Sequence, residues 1–529
     1  MQAMAFFTSN TLSFVLFFPL AAACLIALIP QAHRRFLYIS GVLAVLISGG
    51  LALHAGISAN LSAPEMQLVE KHHWIPSIGA QYAIGLDGLG ALFILILDGI
   101  GLLSIVFLHR DGIKKKEIII SILTLLFSGH GVFLSIDLLL LSFFICFGPI
   151  PAVFLIQFTT RNQRSNLSMH FFIYNLIGSL LVVIGILSIH VVVSKSIGMY
   201  TFDLTKILLS GLPIGAQSWI FWLVLSGLSI RMGLFPFHGW VIDLAEDAAF
   251  PGSMFILAGF NKMAIFVMLR LMLPILPDAL IQHTPLLMYF ALVSTAFAAL
   301  SAIVQENYNK LVGYSVVHQM GLIAAGVFLA NKQGMMGSIS LVLSHAFVLA
   351  MIMIILDYLY SRIPSVLFLE FGGLIRKIPL FSAGFLILVM TYAGLPGLTF
   401  FPGSFQILLG SVTINPIWAC IVLIGMLLGA IYSLQLFLRL FAGMESSLVR
   451  KSVFSDTVAL WLKLIPFLLL IFATGLAPAR IANPIQTPVH RIESVFQSRR
   501  MLMRSGQPTP AQPMTPGVFR LKPTSMDEK

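Results

Sequence analysis

Charge is scarce in this chain. Asp, Glu, Lys and Arg make up 10% of its 529 residues, while 58% are hydrophobic. Soluble domains carry about 25% charged residues, so no water-soluble core accounts for a mean hydropathy of +0.97. Dividing the length into soluble domains does not apply, because the solvent is lipid. Cysteine is scarce as well. Cys24, Cys146 and Cys420 all lie in apolar runs, which excludes a disulfide framework and a metal-ligand spacing. The sequence holds no Walker loop, no dinucleotide fingerprint, no CxxC and no HExxH, so no motif equips it to carry electrons. Its formal charge of +11 does not indicate nucleic acid, because the bases sit in short loops and at the C-terminus, not on a basic domain.

What the chain does have is long apolar runs. Crossing a bilayer core takes about 20 apolar residues. Such runs fall at 11–30, 36–57, 84–108, 117–136, 138–158, 169–194, 218–237, 252–275, 286–304, 311–330, 335–360, 379–410, 416–441 and 457–478. They predict an all-α polytopic membrane protein of about fourteen spans. The runs lack two-residue alternation, which excludes a β-barrel. The first run has no basic segment before it and reads as a retained helix, not a cleaved signal.

Orientation follows from the bases in short loops. Loops after odd-numbered helices hold Arg34, Arg35, Arg110, Lys114–Lys116, Arg161, Arg164, Lys310, Arg362, Arg376, Lys377, Arg439, Arg450 and Lys451. Loops after even-numbered helices hold Lys71, Lys195, Lys206, Arg270 and Lys332. The odd loops are therefore expected in the cytoplasm and both termini opposite. The tail from Arg480 to Lys529 carries further bases on that opposite side, against the rule; a miscount of one helix is the alternative. The tail reads as basic and disordered.

Two runs are interrupted. The seventh holds Gly233, Pro236 and Gly239 around its end, and the twelfth holds Gly394, Pro396, Gly397, Pro402 and Gly403. Proline removes a backbone donor, and broken backbone at membrane depth survives only where protein or a water-filled cavity satisfies it. Each break falls in the fourth member of a five-helix block, helices 4–8 and 9–13. Matched interruptions of this kind point to an ion path on two inverted repeats. The expected divisions are 1–116 for helices 1–3, 117–275 and 286–441 for the two repeats, 442–480 for helix 14, and 481–529 for the tail.

Charges also stand where lipid is expected. Lys262 lies ten residues into its run, about 15 Å deep at 1.5 Å per residue, which makes it a functional candidate. Lysine can surrender its proton when desolvated; arginine cannot, so the equally deep Arg231 fits an electrostatic role. His345, ten residues into its helix, can relay a proton through its two nitrogens. His318, His238 and His130 are weaker candidates of the same kind. Asp137, Asp98 and Asp357 read either as counter-charges or as helix-end residues.

These residues resemble a family. The segment Phe235–Trp240, Asp243 and Pro251–Lys262 look like the helix 7–8 signature of antiporter-like subunits of respiratory complex I. Gln305–Gly321, Leu395–Gly397 and Gly131–Leu139 match other family segments, and Phe371–Leu374 with the loop spacing favours the M, or chain 4, type. The resemblance covers about residues 80–480. It implies a membrane-arm subunit of a proton-translocating NADH–quinone oxidoreductase, in the bacterial inner membrane in preference to the mitochondrial one. NADH, flavin, iron–sulfur clusters and quinone would then belong to partner subunits, both membrane and peripheral, with no cofactor on this chain. The family's midplane row maps onto Lys262 and His345, with His318, His238 and Asp137 as further candidates for the proton path. Other family positions are altered: Cys146 and Ser404 stand where glutamates are expected, Arg231 where a lysine is, and Gln319 where a histidine is. The alternatives are a subunit of a related complex (a cation/proton antiporter, a membrane-bound hydrogenase or an inorganic-carbon transporter) or, from another class, a non-conducting paralogue.

Overall fold

Apolar runs of this length have one stable solution in lipid, the α-helix, because it satisfies its backbone internally. A computed structural model describes residues 10–61, 63, 65–108, 114–160, 166–248, 250–454 and 458–504. Arg110, Arg161 and Arg164 of the charge count, and the tail beyond Arg504, lie outside the described residues.

The spans are α1 (Thr11–Leu28), α2 (Arg34–Ser58), α3 (Gly88–Val106), α4 (Lys115–Leu134), α5 (Leu138–Thr159) and α6 (Leu167–Ile197). Next come α7, in halves Ile214–Met232 and Gly239–Asp247, then α8 (Gly252–Ile275), α9 (Pro277–Ile303), α10 (Tyr308–Phe328) and α11 (Lys332–Arg362). The last three are α12, in halves Pro379–Tyr392 and Phe400–Val412, α13 (Pro416–Phe441) and α14 (Val458–Leu476). These match the fourteen expected runs, with one adjustment. The seventh run continues past residue 237, so its break is internal and a second half follows.

A β-hairpin, β1 (Gln67–Ile75) and β2 (Ala80–Leu86), fills the connection between α2 and α3. After α14 comes α15 (Ala479–Arg504). This corrects the expectation of a disordered tail from 481. Ile485, Val489, Ile492 and Phe496 recur every three or four residues and are buried, so one stripe of the helix packs on the bundle. Arg491 donates to the Ala63 carbonyl, Arg500 donates to the Leu329 carbonyl, and Arg499 lies 3.7 Å from Asp278. All three acceptors stand at connections that follow even-numbered helices. The helix therefore lies at the same end of the bundle as the connections that follow even-numbered helices.

Burial is unequal among the spans. Every residue of α8 is buried, and α4, α10 and α11 are nearly so, whereas α1, α2, α6 and α13 turn most of their surface outward. Lys262, His318 and His345, in the middle of α8, α10 and α11, therefore face protein.

Candidate functional site

Both broken helices end the same way. Gly233 has φ +70, its N–H bonds the Ile230 carbonyl, and the Leu234 N–H bonds the Ser229 carbonyl. Gly394 has φ +73, its N–H bonds the Thr391 carbonyl, and the Leu395 N–H bonds the Met390 carbonyl. This is the Schellman ending, which needs a left-handed residue and so favours glycine. Side chains from the second half of α7 and from neighbouring helices satisfy the broken backbone. Trp240 Nε1 donates to the Ile230 carbonyl and Ser294 Oγ accepts from the Phe235 N–H. At the other break Ser344 Oγ donates to the Thr399 carbonyl. Arg231 and Tyr392 each stand two residues before the terminal glycine.

Arg231 is buried. Its Nη1 donates to Ser179 Oγ at 2.6 Å and to the Ile145 carbonyl at 3.3 Å, and its guanidinium lies over the Phe260 ring. The Ile145 carbonyl is available because Pro149, four residues on, has no N–H to offer it. Cys146 lies within electrostatic reach of Arg231. Among the described residues Arg231 has no carboxylate partner.

Lys262 sits inside a distorted helix. Phe255–Gly259 and Met268–Met272 are wound as π turns, with a 3-10 turn at Phe260–Lys262 between them. Such turns are frequent at functional sites. They bring Lys262 Nζ to 2.9 Å from the Leu257 carbonyl and 2.9 Å from Asn261 Oδ1. An ammonium has three donors, and among the described residues no carboxylate meets this one. The Arg231 guanidinium turns toward α5, α6 and Phe260; the group whose field Lys262 shares is His345.

His345, on α11, lies within electrostatic reach of both Lys262 and His318. It is fully buried, and neither ring nitrogen has a protein partner. The Tyr392 ring lies 6.0 Å away and the Phe400 ring 6.4 Å away. His318, on α10, is fixed at both nitrogens. Its Nε2 meets the Gly425 carbonyl at 3.1 Å and its Nδ1 meets Tyr432 Oη at 2.9 Å. A carbonyl only accepts, so Nε2 carries hydrogen and the neutral ring accepts at Nδ1 from the phenol.

The remaining candidates divide. Asp137 caps α5: Oδ1 accepts from the Leu139 and Leu140 N–H groups and Oδ2 from the Gln81 N–H. It is a helix-end residue away from the row. His238 is half-buried among the rings of Phe235, Phe297 and Tyr314 at the α7 break. Ser404 bonds back to the Phe400 carbonyl of its own helix, and Gln319 is buried beside His318 with Oε1 unpartnered. Asp98 and His130 meet each other, apart from the row. Tyr392 and Tyr432 escaped the sequence reading because an uncharged phenol in an apolar helix gives no signal in a search for charge. Their closeness to glycines, Tyr392 two residues before Gly394 and Tyr432 three after Gly429, was the trace available.

Residues 135–431 match the family described as NADH:quinone oxidoreductase/Mrp antiporter, TM. A relative from Rhodobacter capsulatus, NADH-quinone oxidoreductase subunit M, is 30% identical over 84% of this chain and 88% of its own length. The subunit M of Rickettsia typhi is 27% identical over 91% and 98%. In fold, the chain is similar to one from respiratory complex I of Thermus thermophilus, with a TM-score of 0.81, 25% identity and coverage of 92% and 99%. The family match spans more than half the chain, and the charged α7–α8 and α10–α11 helices lie inside it. The chain belongs to the membrane-subunit family of NADH:quinone oxidoreductases and Mrp antiporters.

Proposed function

We propose that this chain is a membrane-arm, M-type subunit of a proton-translocating NADH–quinone oxidoreductase, seated in a bacterial inner membrane. The redox centres would lie on partner subunits, and this chain would move protons through the row Lys262, His345 and His318. The observation that carries the reading is Lys262 itself: a buried ammonium held by one carbonyl and one amide oxygen, with no carboxylate to fix its charge. A buried ion pair would lock the proton in place, because breaking it costs about 3–5 kcal/mol. A lysine held only by neutral acceptors can release its proton and keep its partners.

His345 is suited to the next place, since both nitrogens are free to bond water, and a neutral imidazole takes a proton at one nitrogen and gives it at the other. His318 follows, with Tyr432 Oη able to reverse its hydrogen bond when the ring is charged. Arg231 keeps its proton and supplies a fixed positive field at the α7 break. The two five-helix blocks with matching breaks support an inverted-repeat arrangement around this row.

A non-conducting role in the same complex is favoured by one observation, the replacement of two expected acids by Cys146 and Ser404. Purifying the intact complex and identifying its chains tests the assignment. Redox subunits in the preparation are expected; antiporter subunits alone would contradict it.

A further inference from the structure

One buried acid–base pair takes no part in the row. Asp98, on α3, and His130, on α4, are 4% and 0% exposed, and His130 Nε2 lies 3.1 Å from Asp98 Oδ1. His130 Nδ1 lies 3.0 Å from the Val15 carbonyl. That carbonyl is available because Pro19, four residues on in α1, has no N–H. A carbonyl cannot donate, so Nδ1 must carry hydrogen. Nε2 is then the nitrogen that gains or loses a proton, and it does so against a carboxylate oxygen.

Ser48 Oγ donates to the same Oδ1 at 3.2 Å. Oδ2 is buried with no protein partner. A clamp built only to join helices would satisfy both oxygens, because a buried polar atom left unpaired costs about 1–3 kcal/mol.

The helix that supplies the Val15 carbonyl also carries polar contacts at its start. Glu70 of β1 is 5% exposed and accepts from the Leu12 N–H at 2.7 Å and from Ser13 Oγ. Ser13 Oγ also lies 2.8 Å from Tyr82 Oη. Ser13 is two residues from Val15 along α1. Glu70, Ser13 and Tyr82 thus form a polar cluster of their own at the start of the helix that supplies the Val15 carbonyl. The groups facing the pair are the Val15 carbonyl from α1 and Ser48 from α2; Glu70 and Tyr82 are the titratable groups of the cluster at the start of α1.

We propose that Asp98 and His130 form a second proton-binding site, holding one exchangeable proton and separate from the Lys262 row. With the proton bound, Nε2–H bridges to Oδ1 and the pair is neutral. With it released, the imidazole is neutral, the carboxylate is ionised, and the pair carries one negative charge. The proton passes from Nε2 to water, and no other bond changes.

This inference rests on the proton-conducting reading, and the test separates the two. The intact complex is reconstituted in liposomes with Asp98→Asn. Asparagine can offer its Nδ2–H to His130 Nε2 and so keeps the helix contact while removing the titration. The expected result is normal assembly and quinone reduction, loss of a hydrogen–deuterium-sensitive carboxyl or imidazole infrared band that changes with pH, and fewer protons released per electron pair. A band and a proton ratio identical to the unaltered complex would overturn the proposal. Should Asp98→Asn fail to assemble, Ser48→Ala provides the same decision: a shifted band midpoint supports the site, and an unmoved one refutes it. Lys262→Met measured alongside tests the parent reading alone, since it leaves the Asp98 band in place whichever way pumping responds.

Discussion

Arg231 donates to the carbonyl of Ile145, the group that Pro149 leaves without a helical partner. The same relation holds between His130 and Val15, whose carbonyl Pro19 leaves free. Lys262 likewise takes the Leu257 carbonyl beside a π turn. In each case a backbone defect that lipid could not tolerate holds a polar side chain at depth.

Arg231→Lys should therefore cost stability more than it costs transport. Lysine keeps the positive field but cannot reproduce the guanidinium contacts to Ser179 and Ile145 and the Phe260 face. Hydrogen bonds to charged groups contribute about 1.5–3 kcal/mol, so the complex should unfold at lower temperature while retaining most of its proton-to-electron ratio. A collapse of that ratio at unchanged thermal stability would show that Arg231 carries protons itself.

Cys146→Glu and Ser404→Glu should behave differently. A carboxylate at 146 would meet Arg231, which lacks an ionic partner among the described residues, and should raise the proton-to-electron ratio or leave it unchanged. At 404 a carboxylate enters a site where, among the described residues, Ser404 bonds only to its own helix, and should lower assembly by itself. Pumping at the full ratio by the unaltered complex would make both lost acids irrelevant.

Tyr432→Phe removes the hydroxyl that meets His318 Nδ1. The lost hydrogen bond should cost about 1 kcal/mol, a modest effect on folding. Proton transfer should slow several-fold, measured as quinone-linked acidification in liposomes. An unchanged rate would remove His318 and its phenol from the path.

How much of this could be read from the sequence follows from the physics. Spans and breaks were legible because lipid forces long apolar runs and Pro–Gly interruptions stand out in them. Lys262 was legible because a charge inside such a run has few explanations. Three things were not. The role of Asp137 depends on which N–H groups it meets, and Asp98 could not be paired with His130 without knowing that α3 packs on α4. α15 was obscured by Pro484 and Pro488 and by its polar composition, although the spacing of Ile485, Val489, Ile492 and Phe496 marked a buried stripe.

At the hairpin face, Lys71 lies 2.8 Å from Asp203. Burial pushes the Asp203 carboxyl up, but the Lys71 ammonium and the Thr205 hydrogen bonds outweigh it and hold it below its ordinary value. A lowered carboxylate stabilises the fold above its unfolded value of about 3.9 and loses that contribution as pH falls through the folded value. Lys71 is 29% exposed, so the contribution should be about 1 kcal/mol or less. Lys71→Gln should therefore destabilise the complex slightly near neutrality, with the difference vanishing in acid below about pH 4. A difference that grows in acid would contradict the assignment.

The most direct test of the whole account is Lys262→Met in the reconstituted complex, read as protons moved per electron. Methionine fills a similar volume without leaving a buried charge, so assembly should be normal and proton translocation through this subunit lost. Lys262→Arg keeps the charge but not the titration and should be nearly as damaging. A Lys262→Met complex that assembles and pumps at the unaltered ratio would make this lysine a structural residue and contradict the account.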